Sequence, residues 1–273
     1  MRPLRMFSSS ICVLLFTSCL LVSGCSTFQD VSPDERMPLY VLSAASLSDA
    51  MQEVKSVYES SHPDVELLES FGSSGTLQQQ IEQGAPADLF LSAGEGQMQA
   101  LLAKNLIDTA HRQDLLTNEL VLIVPSDGTT STVKSLADLT QPDVKKVAIG
   151  QPDTVPAGHY AKETLSAERL WQPLQDKLLY AKDVRQVLTY VETGNVDAGL
   201  VYATDARTSK RVKVVVTADA NSHNPIVYPY GIVKATDHAK QAQALYDWLQ
   251  SAEATRIFAS YGFKMSGAAG SGT

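Results

Sequence analysis

Cysteine is scarce in this chain: three residues, Cys12, Cys19 and Cys25, all near the N-terminus of a 273-residue sequence. A disulfide framework for the body of the protein is thereby excluded. Basic residues are in deficit, 22 against 30 acidic ones, which gives a formal charge of −8 with histidines neutral. No nucleic-acid partner is expected of such a balance. Neither a His/Glu helix motif nor a paired-cysteine spacing is present, so no bound metal cation is expected. A Gly-x-Ser-x-Gly elbow is missing as well, because Gly72-Ser73-Ser74-Gly75 has the wrong spacing. Long apolar runs are lacking: the segment centred on Ile11–Val22 is too short for a true membrane span. What remains, 44% hydrophobic and 19% charged, is ordinary globular composition with room for two lobes.

The first 24 residues differ from the rest. Arg2 and Arg5 precede the apolar run and no acidic residue occurs, which is the pattern of a secretory signal. Its end, Leu21-Val22-Ser23-Gly24-Cys25, resembles the bacterial lipobox, in which the cysteine becomes the lipidated first residue of the mature chain. Loss of two of the 22 basic residues with the signal leaves 20 against 30 acidic ones, a mature charge of −10. Residues 25–38, rich in Ser, Pro and charge, then read as a tether between lipid and fold.

From Leu39 onward apolar strands alternate with helical spacings, which predicts an α/β fold of mainly parallel sheets covered by helices. Leu39–Leu42, Val65–Leu68 and Asp88–Ser92 read as strands, and Leu47, Ala50, Met51, Val54 and Tyr58 follow helical spacing. Ser46 with Asp49 three residues on resembles a capping box. Leu120–Val124, stopped by Pro125, reads as a crossover into a second lobe. There Val147–Ile149 leads to the turn around Pro156 and Ala157, and Asp183 is placed to cap a helix carrying Val184, Val187, Leu188 and Val191. The expected division is 39–122 plus 230–264 for the first lobe and 123–229 for the second. Hinge crossovers are expected near Val124 and near Tyr228–Val233, with a loose tail over 265–273.

Four places share one physical character: Ser46, the Ser73-Ser74 turn, Ala157 and Val184 each lie where a strand gives way to a predicted helix N-terminus. Such ends carry unpaired amides and partial positive charge, and in open parallel sheets they gather where ligands bind. Tyr202, at the end of the strand Asp197–Tyr202, adds a phenolic donor. The set suits a fully deprotonated dianion, whereas monohydrogen phosphate would benefit from an acceptor. Asp49 and Asp183 read as capping residues. The rival enzymatic reading makes Ser74 the nucleophile of a serine hydrolase, with one of His62, His111, His159, His223 or His238 as base; His159 is the nearest in sequence to a predicted turn.

Ala44-Ala45-Ser46-Leu47, Ser70-Phe71-Gly72-Ser73-Ser74-Gly75-Thr76-Leu77 and Gly84-Ala85-Pro86-Ala87-Asp88-Leu89-Phe90 resemble the periplasmic molybdate-binding proteins of ABC transporters. Val155-Pro156-Ala157-Gly158, Asp183-Val184-Arg185 and Gly199-Leu200-Val201-Tyr202 extend the resemblance, which runs from about Leu39 to Lys264. It implies a two-lobed type II binding-protein fold that closes on molybdate or tungstate and delivers it to a permease, without catalysis or cofactor. It also implies that Ser46, Ser74, Ala157, Val184 and Tyr202 hold the anion, Ser73 remaining an alternative to Ser74. A monomer on the outer face of the membrane, anchored through Cys25, is the expected form; another tetrahedral oxyanion is the alternative ligand.

Overall fold

The computed structural model describes residues 36–128 and 132–267. The signal segment, Cys25 and most of the expected tether lie outside them. The chain runs β1 (Met37–Ala44), α1 (Ser48–Ser61), β2 (Val65–Gly72), α2 (Ser74–Glu82), β3 (Leu89–Leu91), α3 (Glu95–Ala103) and β4 (Ile107–Thr117). There follow β5 (Leu120–Pro125), β6 (Val147–Gly150), α4 (Pro156–Ala167), β7 (Leu178–Ala181), α5 (Val184–Glu192), β8 (Ala198–Tyr202), α6 (Ala203–Arg207) and β9 (Val212–Thr217). The last elements are β10 (Val227–Val233), α7 (Ala239–Trp248), α8 (Ala252–Ser260) and β11 (Lys264–Met265).

These strands form two sheets, ordered β11-β4-β10-β3-β1-β2 and β7-β6-β8-β5-β9. Each has its own helices, as the alternation of periods requires. Both sheets are mixed rather than mainly parallel. β1 pairs in parallel with β2 and β3, and β6 with β7 and β8, whereas β10 and β5 run antiparallel to their neighbours. The antiparallel members are the strands that follow each crossing, since a chain arriving from the other lobe enters the sheet from the opposite direction.

The crossings fall elsewhere than the sequence reading places them. Thr117 ends β4 in the first sheet and Leu120 opens β5 in the second, so only Asn118 and Glu119 connect them. β5, read as a crossover because proline stops it, is instead the fully buried strand between β8 and β9. The return runs from Thr217 to Val227, and Tyr228–Val233 belongs to β10 in the first sheet. Pro229 does not interrupt that strand; a register shift against β4 between Tyr228 and Pro229 absorbs it. The two connections are themselves joined, Asn118 N–H donating to the carbonyl of Ile226 at 3.2 Å.

The ends of the fold also reach further than expected. Met37 and Pro38, assigned to the tether, begin β1 opposite Val65 and Glu66. Met265, assigned to the tail, pairs with Leu116 in β11, and the Ser266 amide donates to the carbonyl of Leu115 at 2.8 Å. One buried apolar cluster runs through both lobes, including Leu39, Val41 and Leu89 of the first and Val147, Ile149 and Leu200 of the second. Its members include Ala44 and Tyr202, the last residues of β1 and β8, and Ala157 and Val184 in the first turns of α4 and α5.

Candidate functional site

Where the strand ends of the two lobes face one another lies a small, tightly packed cavity lined by Ala44–Ser46, Gly72–Ser74, Ala93, Val155–Ala157, Asp183, Val184 and Tyr202. All five anticipated residues, Ser46, Ser74, Ala157, Val184 and Tyr202, are therefore brought together, and all are buried. Each arrives by a local rule. β1 ends in a single 3-10 turn, Ala45–Leu47, that carries Ser46. β6 ends at Gly150, where the turn to α4 packs so closely that a Cβ on Gly158 would overlap the Gly150 backbone. Proline at the first position of α4 donates no hydrogen bond, so Ala157 offers the first amide of that helix. Val184 opens α5 behind an N-cap, Asp183, whose Oδ1 accepts from the Gln186 amide at 2.8 Å.

The Ser73-Ser74 pair is sorted by the start of α2. Ser73 is the N-cap: its Oγ accepts from the Thr76 amide at 3.2 Å and donates to Thr76 Oγ1 at 2.8 Å. Ser74 is the first helical residue, and its Oγ accepts from the Ala93 amide at 2.9 Å, which leaves its own proton to be donated. Tyr202 donates to the Ala93 carbonyl at 3.3 Å. Ser46 is not a cap, contrary to the capping-box reading; neither the 3-10 turn nor α1 has a side-chain cap, and the Ser46 hydroxyl lies 3.0 Å from Tyr228 Oη. Asp183 caps as expected but also lines the cavity.

Asp49 serves a purpose the sequence reading missed. Its Oδ2 pairs at 2.9 Å with Nη2 of Arg185, whose Nη1 lies 3.4 Å from Oδ1 of Asp205. Asp49 belongs to α1 and Arg185 to α5, so the guanidinium ties the lobes together beside the cavity. A second tie is backbone to backbone, the Gly75 amide donating to the Thr154 carbonyl at 2.9 Å. No Lys or Arg and no histidine lines the cavity among the described residues. Ser74 thus has no imidazole base there, and His159 instead borders a separate outer cleft and pairs with Glu163 at 3.3 Å. The chemistry on offer is hydrogen-bond donation to a small anion: two hydroxyls and the N-termini of α2, α4 and α5, the Tyr202 phenol being turned to the Ala93 carbonyl.

Burial pushes the carboxyl of Asp205 up to about 7, only partly opposed by Arg185 and by the Tyr202 backbone hydrogen bond. A folded-state value above the unfolded one means that its contribution to stability is complete below about pH 4 and is lost as pH rises through about 7. Glu69, likewise raised to about 7 by burial, acts in the same window. Asp205→Asn is therefore expected to flatten part of the decline in melting temperature between pH 5 and 8.5, the remainder belonging to Glu69. Thermal unfolding of both proteins across that range checks this, and parallel curves would refute it.

A family model described as bacterial extracellular solute-binding protein matches residues 39–264. YvgL of Bacillus subtilis, assigned as an ABC transporter substrate-binding lipoprotein, is 48% identical over 255 residues, 93% of this chain and 97% of that one. The molybdate-binding protein ModA of Escherichia coli is 42% identical over 226 residues, covering 82% of this chain and 87% of its own length. Among solved structures, a Clostridium difficile substrate-binding domain assigned to a molybdenum ABC transporter superposes with a TM-score of 0.65 at 42% identity, covering 83% of this chain and 98% of that one. The periplasmic molybdate-binding protein of Azotobacter vinelandii, at 23% identity and a TM-score of 0.75 over 83% of this chain and 98% of its own, shares the fold. With its two lobes closed over a cavity of donors, the chain belongs to the bacterial extracellular solute-binding protein family, the two-lobed binding proteins that include the ModA relatives.

Proposed function

We propose that this protein captures molybdate, and tungstate with it, in the cavity between its lobes and delivers the anion to an ABC transporter permease. Ser46, Ser74, Ala157, Val184 and Tyr202 hold the anion, with the Ser74 hydroxyl rather than that of Ser73 as donor and with Tyr202 turning its phenol from the Ala93 carbonyl to the ligand. The observation that carries this reading is an interlobe cavity of hydroxyls and helix N-termini, without a basic side chain among its lining residues, in a chain 42% identical to a molybdate-binding protein. Asp183 lines the cavity too, but its carboxylate accepts from the Gln186 amide as a helix cap; the proposed ligands are all donors, which suits an oxyanion that has no proton left to give. Dipoles take the place of cations, each helix end contributing about 0.3 to 2 kcal/mol according to its burial.

Calorimetric titration of the full chain with molybdate, tungstate, sulfate and phosphate tests the proposal. Molybdate and tungstate should bind one per chain, far more tightly than phosphate, and added chloride should weaken them little because the donors are fixed and shielded. Absence of molybdate binding, or a steep loss of affinity with salt, would place the ligand elsewhere. The protein acts as a monomer on the outer face of the membrane, held by lipid on Cys25, a reading supported by the lipobox and by the lipoprotein assignment of the Bacillus relative. Several acyl chains on one residue hold far more firmly than one. Cys25→Ser should therefore shift the protein from the membrane to the soluble fraction with molybdate affinity unchanged; unaltered fractionation would refute the anchor.

A further inference from the structure

We propose that Asn118 and Tyr228 are positioning residues that hold the Ser46 hydroxyl as a donor toward the anion in the docked form. The inference rests on Ser46 being an anion ligand. The side-chain amide of Asn118 has its oxygen occupied by the Glu119 backbone amide at 2.9 Å, which fixes its nitrogen as the end facing the interior. That nitrogen can only donate. Its two protons go to different lobes, one to Thr204 Oγ1 of α6 at 2.8 Å and one to Tyr228 Oη of β10 at 3.1 Å.

Proton accounting then settles the direction of the chain. Tyr228 Oη receives a proton from Asn118 and does not line the cavity, so among the described residues its own buried proton finds a partner only in Ser46 Oγ at 3.0 Å. Ser46 Oγ accepts it, and the proton of Ser46 is left to be donated into the cavity that Ser46 lines. Tyr228, Thr204 and Ser46 are all buried, so water does not offer an alternative partner at this junction. Burial keeps the Tyr228 phenol protonated, its pKa raised well above the ordinary value. Ser74 is poised in the same sense by the Ala93 amide.

Two consequences follow. Asn118 is one of two residues in the short crossover, and its amide holds Thr204 on one side and Tyr228 on the other, so separating the lobes breaks one of these bonds. Ser46 is thus held as a donor in the docked form, and where the bond that breaks is the one to Tyr228 it becomes free to rotate. Locked, one of its two lone pairs is taken by Tyr228 and its proton is aimed at the anion, so a protonated oxygen in the same place meets a donor instead of an acceptor, and the same device disfavours monohydrogen phosphate.

The test is a double-mutant cycle read by calorimetry with sodium molybdate, and with sodium phosphate at pH 7.5, on the full chain. Tyr228→Phe and Asn118→Ala should each weaken molybdate binding about 3- to 10-fold. In the Ser46→Ala background the same substitutions should cost less than about 2-fold, because the group they orient is gone. The ratio of molybdate to phosphate affinity should fall in both single variants. Equal losses in both backgrounds, or no loss in either single variant, would overturn the positioning role while leaving the site intact. Wild-type molybdate affinity in Ser46→Ala would overturn the site assignment and this proposal with it. If Tyr228→Phe fails to fold, Asn118→Ala carries the cycle alone.

Discussion

Ser46→Ala and Ser74→Ala should each weaken molybdate binding by about 10- to 150-fold. A hydrogen bond to a charged group contributes about 1.5 to 3 kcal/mol, and each 1.4 kcal/mol is tenfold in affinity. Both hydroxyls are buried and each already accepts or is placed to accept from behind, Ser74 from the Ala93 amide and Ser46 from Tyr228. Truncation therefore removes a donor that water cannot replace in the closed cavity. The two losses should not simply add, since both serines touch one anion. Ser73→Ala is the informative contrast. Its hydroxyl is occupied by the Thr76 amide as the cap of α2, so its loss should lower stability by about 0.5 to 2 kcal/mol and leave affinity near wild type. Calorimetry with molybdate, alongside thermal unfolding of the empty protein, separates the two behaviours. Lost binding in Ser73→Ala with normal binding in Ser74→Ala would reverse the assignment.

That contrast marks the limit of what the sequence discloses. A Gly-Ser-Ser-Gly turn before helical spacing announces a helix start, and Pro156, Asp183 and Gly194 punctuate the second lobe as plainly, because caps and turns are local chemistry. Which of two adjacent serines caps and which faces the ligand depends on whether Ala93 arrives behind it, a contact 19 residues away. Lobe boundaries suffered for a related reason. A run such as Leu120–Val124 ending in proline looks like a connector, yet its burial comes from β8 and β9, which follow much later in the chain. β4 was missed altogether, since Ala110 to Asp114 are mostly polar and none of them is buried. The strand is defined by pairing with β10 and by Arg112, which bridges Glu95 and Asp114. Tyr228, Asn118 and the Arg185–Asp49 tie have no local signature; they acquire meaning only where the two lobes meet.

Closure itself should fail in Gly75→Val. Gly75 is the second residue of α2, in ordinary helical conformation, so a side chain there is compatible with the helix and with the first lobe taken alone. The obstacle is the other lobe: a Cβ on Gly75 would lie 2.5 Å from the Thr154 carbonyl oxygen and 2.7 Å from its Cα, both backbone atoms that cannot swing aside. The same approach carries the interlobe hydrogen bond from the Gly75 amide to Thr154 at 2.9 Å, so steric relief by retreat of the second lobe also breaks that bond. Overpacking costs about 1 to 3 kcal/mol and a lost neutral hydrogen bond about 0.5 to 1.5, together roughly 10- to 1,600-fold in affinity. The wild-type chain should become more compact on adding molybdate, as hinge closure about the paired crossovers requires. In Gly75→Val small-angle scattering at saturating molybdate should show a larger particle than wild type, while the melting temperature of the empty protein stays close to normal. Undiminished affinity with full compaction in that variant would mean that the lobes close along another path and that the Gly75–Thr154 contact does not limit them.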